Sequence, residues 1–440
     1  MSAGVAAVVM AGGLSTRMRS ALPKHLHPLL GRRMVDWVIE AAHGVPVEEL
    51  AVVCSPATAE LLPDVRVAIQ PSPLGTGDAV RCARTSFEGR TGSLLVLSGD
   101  TPLLTASLLR ELIATHEREH AVATVLSFSP RDPRSYGRVL RAEDGSVRAI
   151  VEALDATPEE LAVREVNSSI YVFEMDGLWP ALERLEPANA QGELYLTDVV
   201  SLLVESGGRV AAHLAPDPGE TEGVNTRAEL AAAAAALRNR INLAHMLGGV
   251  TIVDPESTWI DAGVELEADA TVEPFTVLRG STRVAAGAQV GPHVVAIDAE
   301  IGPDVAVGPF CYLRPGTVLR AGSKAGTFVE IKNSRVGERT KVPHLSYIGD
   351  ADIGDDTNIA AGNITANFPH QPGLPKRQTR IGSNVRTAVQ NAFVAPVEVG
   401  DGAWIAAGSV ITEDVPGGAL AIARARQVNK EGYARGRDDK

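Results

Sequence analysis

Between residues 260 and 411 a small aliphatic residue returns at six-residue intervals, and Gly often follows it. The clearest run is Ile260, Leu266, Val272, Leu278, Val284, Val290 and Ala296. After a five-residue step it resumes at Ile301, Val307, Leu313, Leu319, Ala325 and Ile331, then shifts into Val336, Val342 and Ile348. A later block gives Ile381, Thr387, Phe393, Val399, Ile405 and Ile411. A period of six fits neither the turn of an α-helix nor the alternation of a two-faced strand. It predicts a hexapeptide β-helix: each hexad forms one flat side of a triangular coil, the aliphatic residue points inward, and Gly, Asn or Asp turns the corner.

The first half has a different rhythm. Residues 3–10 are a continuous apolar run that predicts a fully buried strand, followed by a small-residue loop, AGGLSTRM. A helix is expected over 34–43, a strand over 50–54, a very apolar strand over 94–97 ending in Ser98-Gly99-Asp100, and a helix over 107–119. This alternation predicts an α/β domain with a mostly parallel sheet, whose ligands collect at the carboxyl ends of its strands. Residues 226–247 carry six consecutive alanines with no Gly or Pro before Gly248-Gly249, which predicts a stiff helical spacer. The expected organisation is an α/β domain over 1–225, a linker helix over 226–249 and a β-helix domain over 250–440.

Composition narrows the function. A chain of 440 residues is too long for one small core, and 45% hydrophobic with 22% charged residues describes a soluble globular protein. The net charge of −13 argues against a general nucleic-acid binder, although a local group of Lys and Arg can still serve small anions. Cys54, Cys82 and Cys311 show no metal-type spacing and read as reduced thiols. The apolar run at 5–10 lacks the features of a signal peptide, and no segment reaches membrane-spanning length. A cytoplasmic protein with neither nucleic-acid nor membrane partners is expected.

Several residues carry candidate chemistry. A strand ending in AGGLSTRM lets backbone N–H groups approach phosphate, with Arg17 and Lys24 supplying charge; a plain turn before a helix is the alternative. Asp100 sits at a strand end where a metal-binding carboxylate is useful, or serves as a cap or turn residue for the following helix. PLGTGDA at 73–79 is a second Gly-rich turn, and Glu152, Asn167 and the stretch 189–198 add polar groups that a packed core does not need. In the repeat, Arg314, Lys332, His344, Tyr347 and Asn358 fall on successive coils, and 366–380 breaks the period as functional loops do. His344 reads either as a surface histidine or as a general base.

The order AGGLSTRM, Pro23-Lys24, PLGTGDA, SGDTPLL, Tyr136-Gly137-Arg138, Val151-Glu152, Glu165-Val166-Asn167, NAQGELYLTD and Glu222-Gly223-Val224-Asn225 resembles the sugar-1-phosphate nucleotidyltransferases. With the hexads behind it, nearly the whole chain resembles the bifunctional N-acetylglucosamine-1-phosphate uridylyltransferase/glucosamine-1-phosphate acetyltransferase family. The resemblance implies a Rossmann-like nucleotidyltransferase domain, a linker helix and a left-handed parallel β-helix that packs as a homotrimer. It implies acetyl transfer from acetyl-CoA to glucosamine 1-phosphate, then uridylyl transfer from UTP with Mg²⁺, in the synthesis of a cell-wall precursor.

By the same resemblance Asp100 and Asn225 hold Mg²⁺, Gly13, Arg17 and Lys24 face the triphosphate, and Gln70, Gly75 and Thr76 contact uracil and ribose. Gly137, Glu152, Asn167, Thr197 and Asn225 form the sugar pocket. In the second half His344 becomes the general base, Arg314, Lys332 and Lys376 hold the sugar phosphate, and Tyr347 and Asn358 hold the sugar. Asn367, Phe368, Val389, Ala407 and Arg424 take acetyl-CoA. The chain departs from the family pattern at Ser15 and Ser169, where Gly is usual, and at Pro73, where Gln is common. Phe368 lacks the usual hydroxyl, the loop before Lys376 is longer, and Ala388-Val389 replaces Gly-Ser, so the acyl-donor site is expected to be remodelled. The alternative reading is a pathway-specific relative that keeps uridylyl transfer while its second half is altered or serves as a trimerisation scaffold.

Overall fold

The computed structural model describes residues 4–13, 16–133, 135–369 and 373–434; Ser15 and residues 370–372 of the long loop lie outside them. The chain divides into two compact units, Met1–Leu237 and Arg238–Lys440.

In the first unit β1 (Val5–Met10) is buried at all six positions. Ala6, Val8 and Met10 join one core with Ala79 and Leu196, while Val5, Ala7 and Val9 join another with Val38 and Leu109. A sheet covered on both faces leaves no polar side, and the strand therefore reads as an unbroken apolar run. The covering helices are α1 (Met34–His43), α2 (Thr76–Cys82), α3 (Ala106–Glu119) and α4 (Leu196–Glu205). The strands are β2 (Val47–Cys54), β3 (Val67–Ile69), β4 (Ser93–Ser98), β5 (Ala123–Phe128), the hairpin β6 (Arg138–Arg141) and β7 (Val147–Val151), β8 (Val166–Glu174) and β9 (Val210–Leu214). Their order across the sheet is β9-β5-β8-β4-β1-β2-β3, with the hairpin paired off β8. The chain moves outward from β1 to β3 and then returns to β4 on the other side of β1. The carboxyl ends of β1 and β4 thus flank a topological switch point, where the crevice of an open sheet lies.

Two local bonds sharpen the sequence reading. Thr105 Oγ1 accepts from Leu108 N at 3.2 Å and caps α3, so the capping role open to Asp100 is filled by a different residue. Helix α5 (Arg227–Leu247) begins with a reciprocal pair, Thr226 N donating to Glu229 at 2.9 Å and Glu229 N donating to Thr226 Oγ1 at 3.2 Å. Leu230, Ala233 and Leu237 pack with Leu29, Met34 and Val224 in the first unit, whereas Ile241 and Met246 lie against the core of the second. The division between units falls inside this helix.

The second unit is a parallel β-helix with three sides, starting at Thr251–Ile252, Trp259–Ile260 and Glu265–Leu266. Each strand pairs with its equivalent one coil on: Ile260 with Leu278, then Ala296, Leu313, Ile331 and Ile348. A coil takes 17 or 18 residues where the repeat is regular and 28 where an excursion intervenes. The five-residue steps, ending at Ile301, Val336 and Ile353, all fall at the corner between the second and third sides. The excursion between Ile364–Ala366 and Thr379–Ile381 leaves from the same corner. The hexad aliphatics form one continuous core. Thr387, the polar member, is buried with its Oγ1 accepting from Ala360 N at 2.9 Å.

At the corner between the first and second sides, Phe275, His293, Phe310, Phe328, Leu345 and Gln390 all adopt the left-handed conformation, with φ from 49° to 59°. The first four rings stack along the outer edge at centroid separations of 4.8, 4.7 and 5.2 Å. Inside this corner, Asn391 Nδ2 donates to Asn363 Oδ1 at 3.0 Å and to Ala388 O at 2.6 Å, and Asn391 Oδ1 accepts from Ser409 N at 2.9 Å. Asn391→Ala strands these buried groups and is expected to destabilise the second unit by about 1–3 kcal/mol, read as a lower urea midpoint. An unchanged midpoint would contradict this role.

Candidate active sites

The carboxyl ends of β1 and β4 open into a cavity of about 550 Å³ that Gly12, Gly13, Arg17, Lys24, Gln70 and Asp100 help to line. Gly99 N donates to Met10 O at 2.9 Å and ties the two strand ends together. Lys24 is buried and pairs with Asp100 Oδ2, and its ammonium also donates to Asn225 Oδ1 at 2.9 Å. Arg17 Nη2 donates to the same Asn225 oxygen at 3.1 Å. Burial is the largest single influence on Asp100 and opposes its charged form, but the Lys24 ammonium, His25 and the hydrogen bonds from Lys24 and Ser98 together hold the carboxyl below its ordinary range.

The neighbouring wall is built by exclusion. A Cβ on Gly12 would lie 2.7 Å from Gln70 Oε1, and one on Gly75 would lie 2.5 Å from Leu194 O. Gly75 also has φ +121°, so that position requires Gly. The buried Gln70 donates its amide to Gly75 O at 3.2 Å and to Asp78 Oδ2 at 2.9 Å, which turns its carbonyl oxygen toward Gly12. Thr76 Oγ1 accepts from Leu196 N at 3.0 Å, fastening α2 to α4. Pro73 lines the same cavity.

Deeper in the unit, Gly137, Glu152, Asn167 and Thr197 come together. Thr197 Oγ1 donates to Glu152 Oε1 at 3.2 Å, a Gly137 Cβ would lie 3.4 Å from the Glu152 carboxyl, and Asn167 N donates to Gly137 O at 2.9 Å. Asn167 Nδ2 donates to Tyr171 Oη at 2.7 Å, and its Oδ1 accepts from Ser169 N at 3.0 Å. Ser169 sits at φ +61° on the cavity wall, a conformation that favours Gly. Burial raises the Glu152 carboxyl above the ordinary glutamate range; the Thr197 hydroxyl opposes this, and Asp198, Asp155 and Glu193 add to it.

Two contributors escaped the sequence reading. Ser98 Oγ donates to Asp100 Oδ1 at 2.6 Å. His25 lines the cavity, is buried, and has an Nδ1 with no partner among the described residues. Burial pushes its imidazole down to about 4, so the ring is neutral at physiological pH. Each adjoins a recognised motif residue, Asp100 or Lys24, and that adjacency is the only signal the sequence offers.

In the β-helix the candidates line two edges of the second side. Along its junction with the third side stand Arg314, Lys332, Asn367 and, from the excursion, Lys376. Arg314 pairs with Glu330 at 2.8 Å. The Lys376 side chain beside Lys332 holds that ammonium below the ordinary lysine range, with burial and Arg314 adding to the effect and Asp350 opposing it. Two cations this close mark a place that favours an anion. Tyr347, on the side itself, brings its hydroxyl over Gly349, where a Cβ would lie 2.4 Å from that oxygen.

Along the junction with the first side, exposed His344 ends the strand Lys341–His344. Its carbonyl accepts from Ser346 Oγ at 2.8 Å. Gln390 N bonds Ala361 O at 2.8 Å, and Gly408 N bonds Val389 O at 3.0 Å, one coil further on. A Gly408 Cβ would lie 3.9 Å from Arg424 Cδ, so Val389, Ala407 and Arg424 follow one another up this edge. Asn358 bridges Lys341 and Arg386 on the first side. Exposed Phe368 follows Asn367 at the opposite edge. The five residues expected around acetyl-CoA are therefore split: Asn367 and Phe368 lie on one edge of the second side, and Val389, Ala407 and Arg424 on the other.

Comparison with known proteins places these features in context. Residues 7–195 match the MobA-like NTP transferase domain. The chain is also similar to the bifunctional protein GlmU of Streptomyces coelicolor, 47% identical over 453 residues that cover 97% of this chain and 93% of that one. The GlmU proteins of Pseudarthrobacter chlorophenolicus (47% over 454 residues) and Mycolicibacterium vanbaalenii (46% over 456) each cover 97% of this chain and 92% of their own. No described helix is long and apolar enough to cross a membrane.

The raised Glu152 carboxyl makes a stability prediction. Above its folded pKa the group is ionised in both the folded and the unfolded chain, and the folded state bears the desolvation cost; below the ordinary glutamate range it is neutral in both. Glu152→Gln should therefore melt higher than the wild type at pH 7.5, with the difference shrinking to nothing below about pH 4. A difference independent of pH would contradict this.

Proposed function

The chain belongs to the family of bifunctional GlmU proteins, and from that premise we propose how its two sites divide the chemistry. The protein is an enzyme with two transferase activities: it acetylates glucosamine 1-phosphate from acetyl-CoA and uridylylates N-acetylglucosamine 1-phosphate from UTP. The observation that carries both is similarity across 97% of the chain, so that the second half is included as fully as the first. The scaffold-only reading is not favoured.

For uridylyl transfer, a phosphate oxygen of the sugar 1-phosphate attacks the α-phosphorus of UTP in line; one P–O bond forms, another breaks, and pyrophosphate leaves. Such a reaction needs positioning and charge neutralisation more than a general base. We assign the triphosphate to Arg17, Lys24 and the Gly12-Gly13 backbone, the base and ribose to Gln70, Gly75 and Thr76, and the sugar to Gly137, Glu152, Asn167 and Thr197. Asp100 and Asn225 present hard oxygen donors that already converge on one cation, the Lys24 ammonium, a donor set that fits Mg²⁺. Mg²⁺ held there would neutralise charge on the phosphate oxygens. Lys24 is then free to turn from Asp100 toward the nucleotide.

For acetyl transfer, the amine of glucosamine 1-phosphate attacks the thioester carbonyl. The C–N bond forms as His344 accepts the amine proton, the C–S bond breaks, and His344 returns that proton to the departing sulfur so that coenzyme A leaves as the thiol. We assign the phosphate to Arg314, Lys332 and Lys376 and the sugar to Tyr347 and Asn358. The split of the acyl-donor residues between two edges supports a homotrimer, in which a neighbouring copy brings its Asn367 and Phe368 against the His344–Arg424 edge. The half-exposed Phe275, Phe310 and Phe328 give that edge an apolar strip for such packing. With no spanning helix among the described residues, the cytoplasm fits as the location.

Purified protein should turn over both glucosamine 1-phosphate with acetyl-CoA and N-acetylglucosamine 1-phosphate with UTP and Mg²⁺. Chelation should abolish only the second reaction. Asp100→Ala should cost uridylyl transfer about 10²–10³-fold and spare acetyl transfer. His344→Ala should cost acetyl transfer about 10²–10⁴-fold and spare the other. Loss of both activities in either variant would count against separate sites.

A further inference from the structure

Asp350 stands at the corner where the second side passes to the third, with φ +49°. Its backbone is fixed independently of its side chain: Asp350 N donates to Lys332 O and Thr379 N donates to Asp350 O, each at 3.1 Å. Its carboxylate is held from both flanks. Oδ1 accepts from Asn333 Nδ2 at 2.6 Å, and Oδ2 accepts from Asn367 Nδ2. A carboxylate only accepts, so the buried Asn367 must present its NH₂ to Asp350 and turn its carbonyl oxygen the other way. That NH₂ and the Tyr347 hydroxyl meet over Gly349, where a Cβ would lie 2.8 and 2.4 Å from them. The same carboxylate acts on the Lys332 ammonium against the repulsion of Lys376.

We propose that Asp350 is a positioning residue of the acetyltransferase half: it locks the amide of Asn367 with its oxygen toward the acyl donor, and it tempers the cationic pair that receives the sugar phosphate. This rests on the reading of the second half as an acetyltransferase. It goes beyond that reading in giving one side chain opposite effects on the two substrates. Asn in place of Asp350 keeps the shape but can donate as well as accept, which frees the Asn367 amide to rotate. It also removes a negative charge beside Lys332 and Lys376, which strengthens their hold on a phosphate.

The test is Asp350→Asn in the full chain, with initial rates of acetyl transfer measured against each substrate in turn. The KM for acetyl-CoA should rise about tenfold, while the KM for glucosamine 1-phosphate stays level or falls. Uridylyl transfer and the urea midpoint of the second unit should match the wild type. Equal rises in both KM values, no change in either, or a lowered midpoint would make Asp350 a structural residue and overturn the proposal. A wild type that transfers no acetyl group would defeat the reading of the half and this inference with it. A normal wild type with an indifferent variant would defeat the inference alone.

Discussion

Everything in the second half depends on the backbone bond from one coil to the next. Because each strand pairs in parallel with its equivalent one coil on, 17 or 18 residues in the regular coils and 28 across the excursion, a side chain at a corner is stacked on its counterparts above and below. Six non-Gly residues in the left-handed conformation at one corner are costly individually, and the stacked rings outside and the Asn pair inside offset that cost. The same constraint collects irregularity. A shortened hexad can be absorbed only where the chain turns, and all three five-residue steps fall at one corner, where the long excursion also departs. The cations and Asp350 gather at the same corner.

The first half reaches a comparable result by a different route. The central strand of a sheet buried on both faces carries no polar positions, and the switch in strand order opens a crevice at its carboxyl end. Asp100, Asn225 and Lys24 meet in it, the ammonium holding the two oxygens. In the β-helix the imbalance runs the other way: Lys332 and Lys376 crowd together, and Asp350 opposes their repulsion at Lys332. One site is balanced by its own cation and the other is short of an anion, and each suits the ligand assigned to it.

Much of this was legible in the sequence. The hexads are readable because no other element has a period of six, and the strand and helix at 3–10 and 34–43 are readable because burial on both faces or on one leaves distinct patterns. Lys24, Asp100 and Asn225 were legible as site residues through resemblance, but the bond network among them was not, since it joins positions up to 201 residues apart. The hexad pattern tells which residues point inward and is silent about which corner residues meet a coil away. Asn333, Asp350 and Asn367 are therefore visible as a cluster only in three dimensions. The split of the acyl-donor residues was hidden for the same reason: adjacency to Tyr347 or Val389 along the chain does not tell which edge of a side a residue occupies.

The division of the acetyltransferase site between two copies depends on that split, and a structure of the full chain with bound coenzyme A tests it most directly. The expected result is a trimer in which the cofactor runs along the His344, Val389 and Arg424 edge of one copy and meets Asn367 and Phe368 of its neighbour. Coenzyme A contacting all five residues of a single copy, or lying away from the His344 edge, would contradict it.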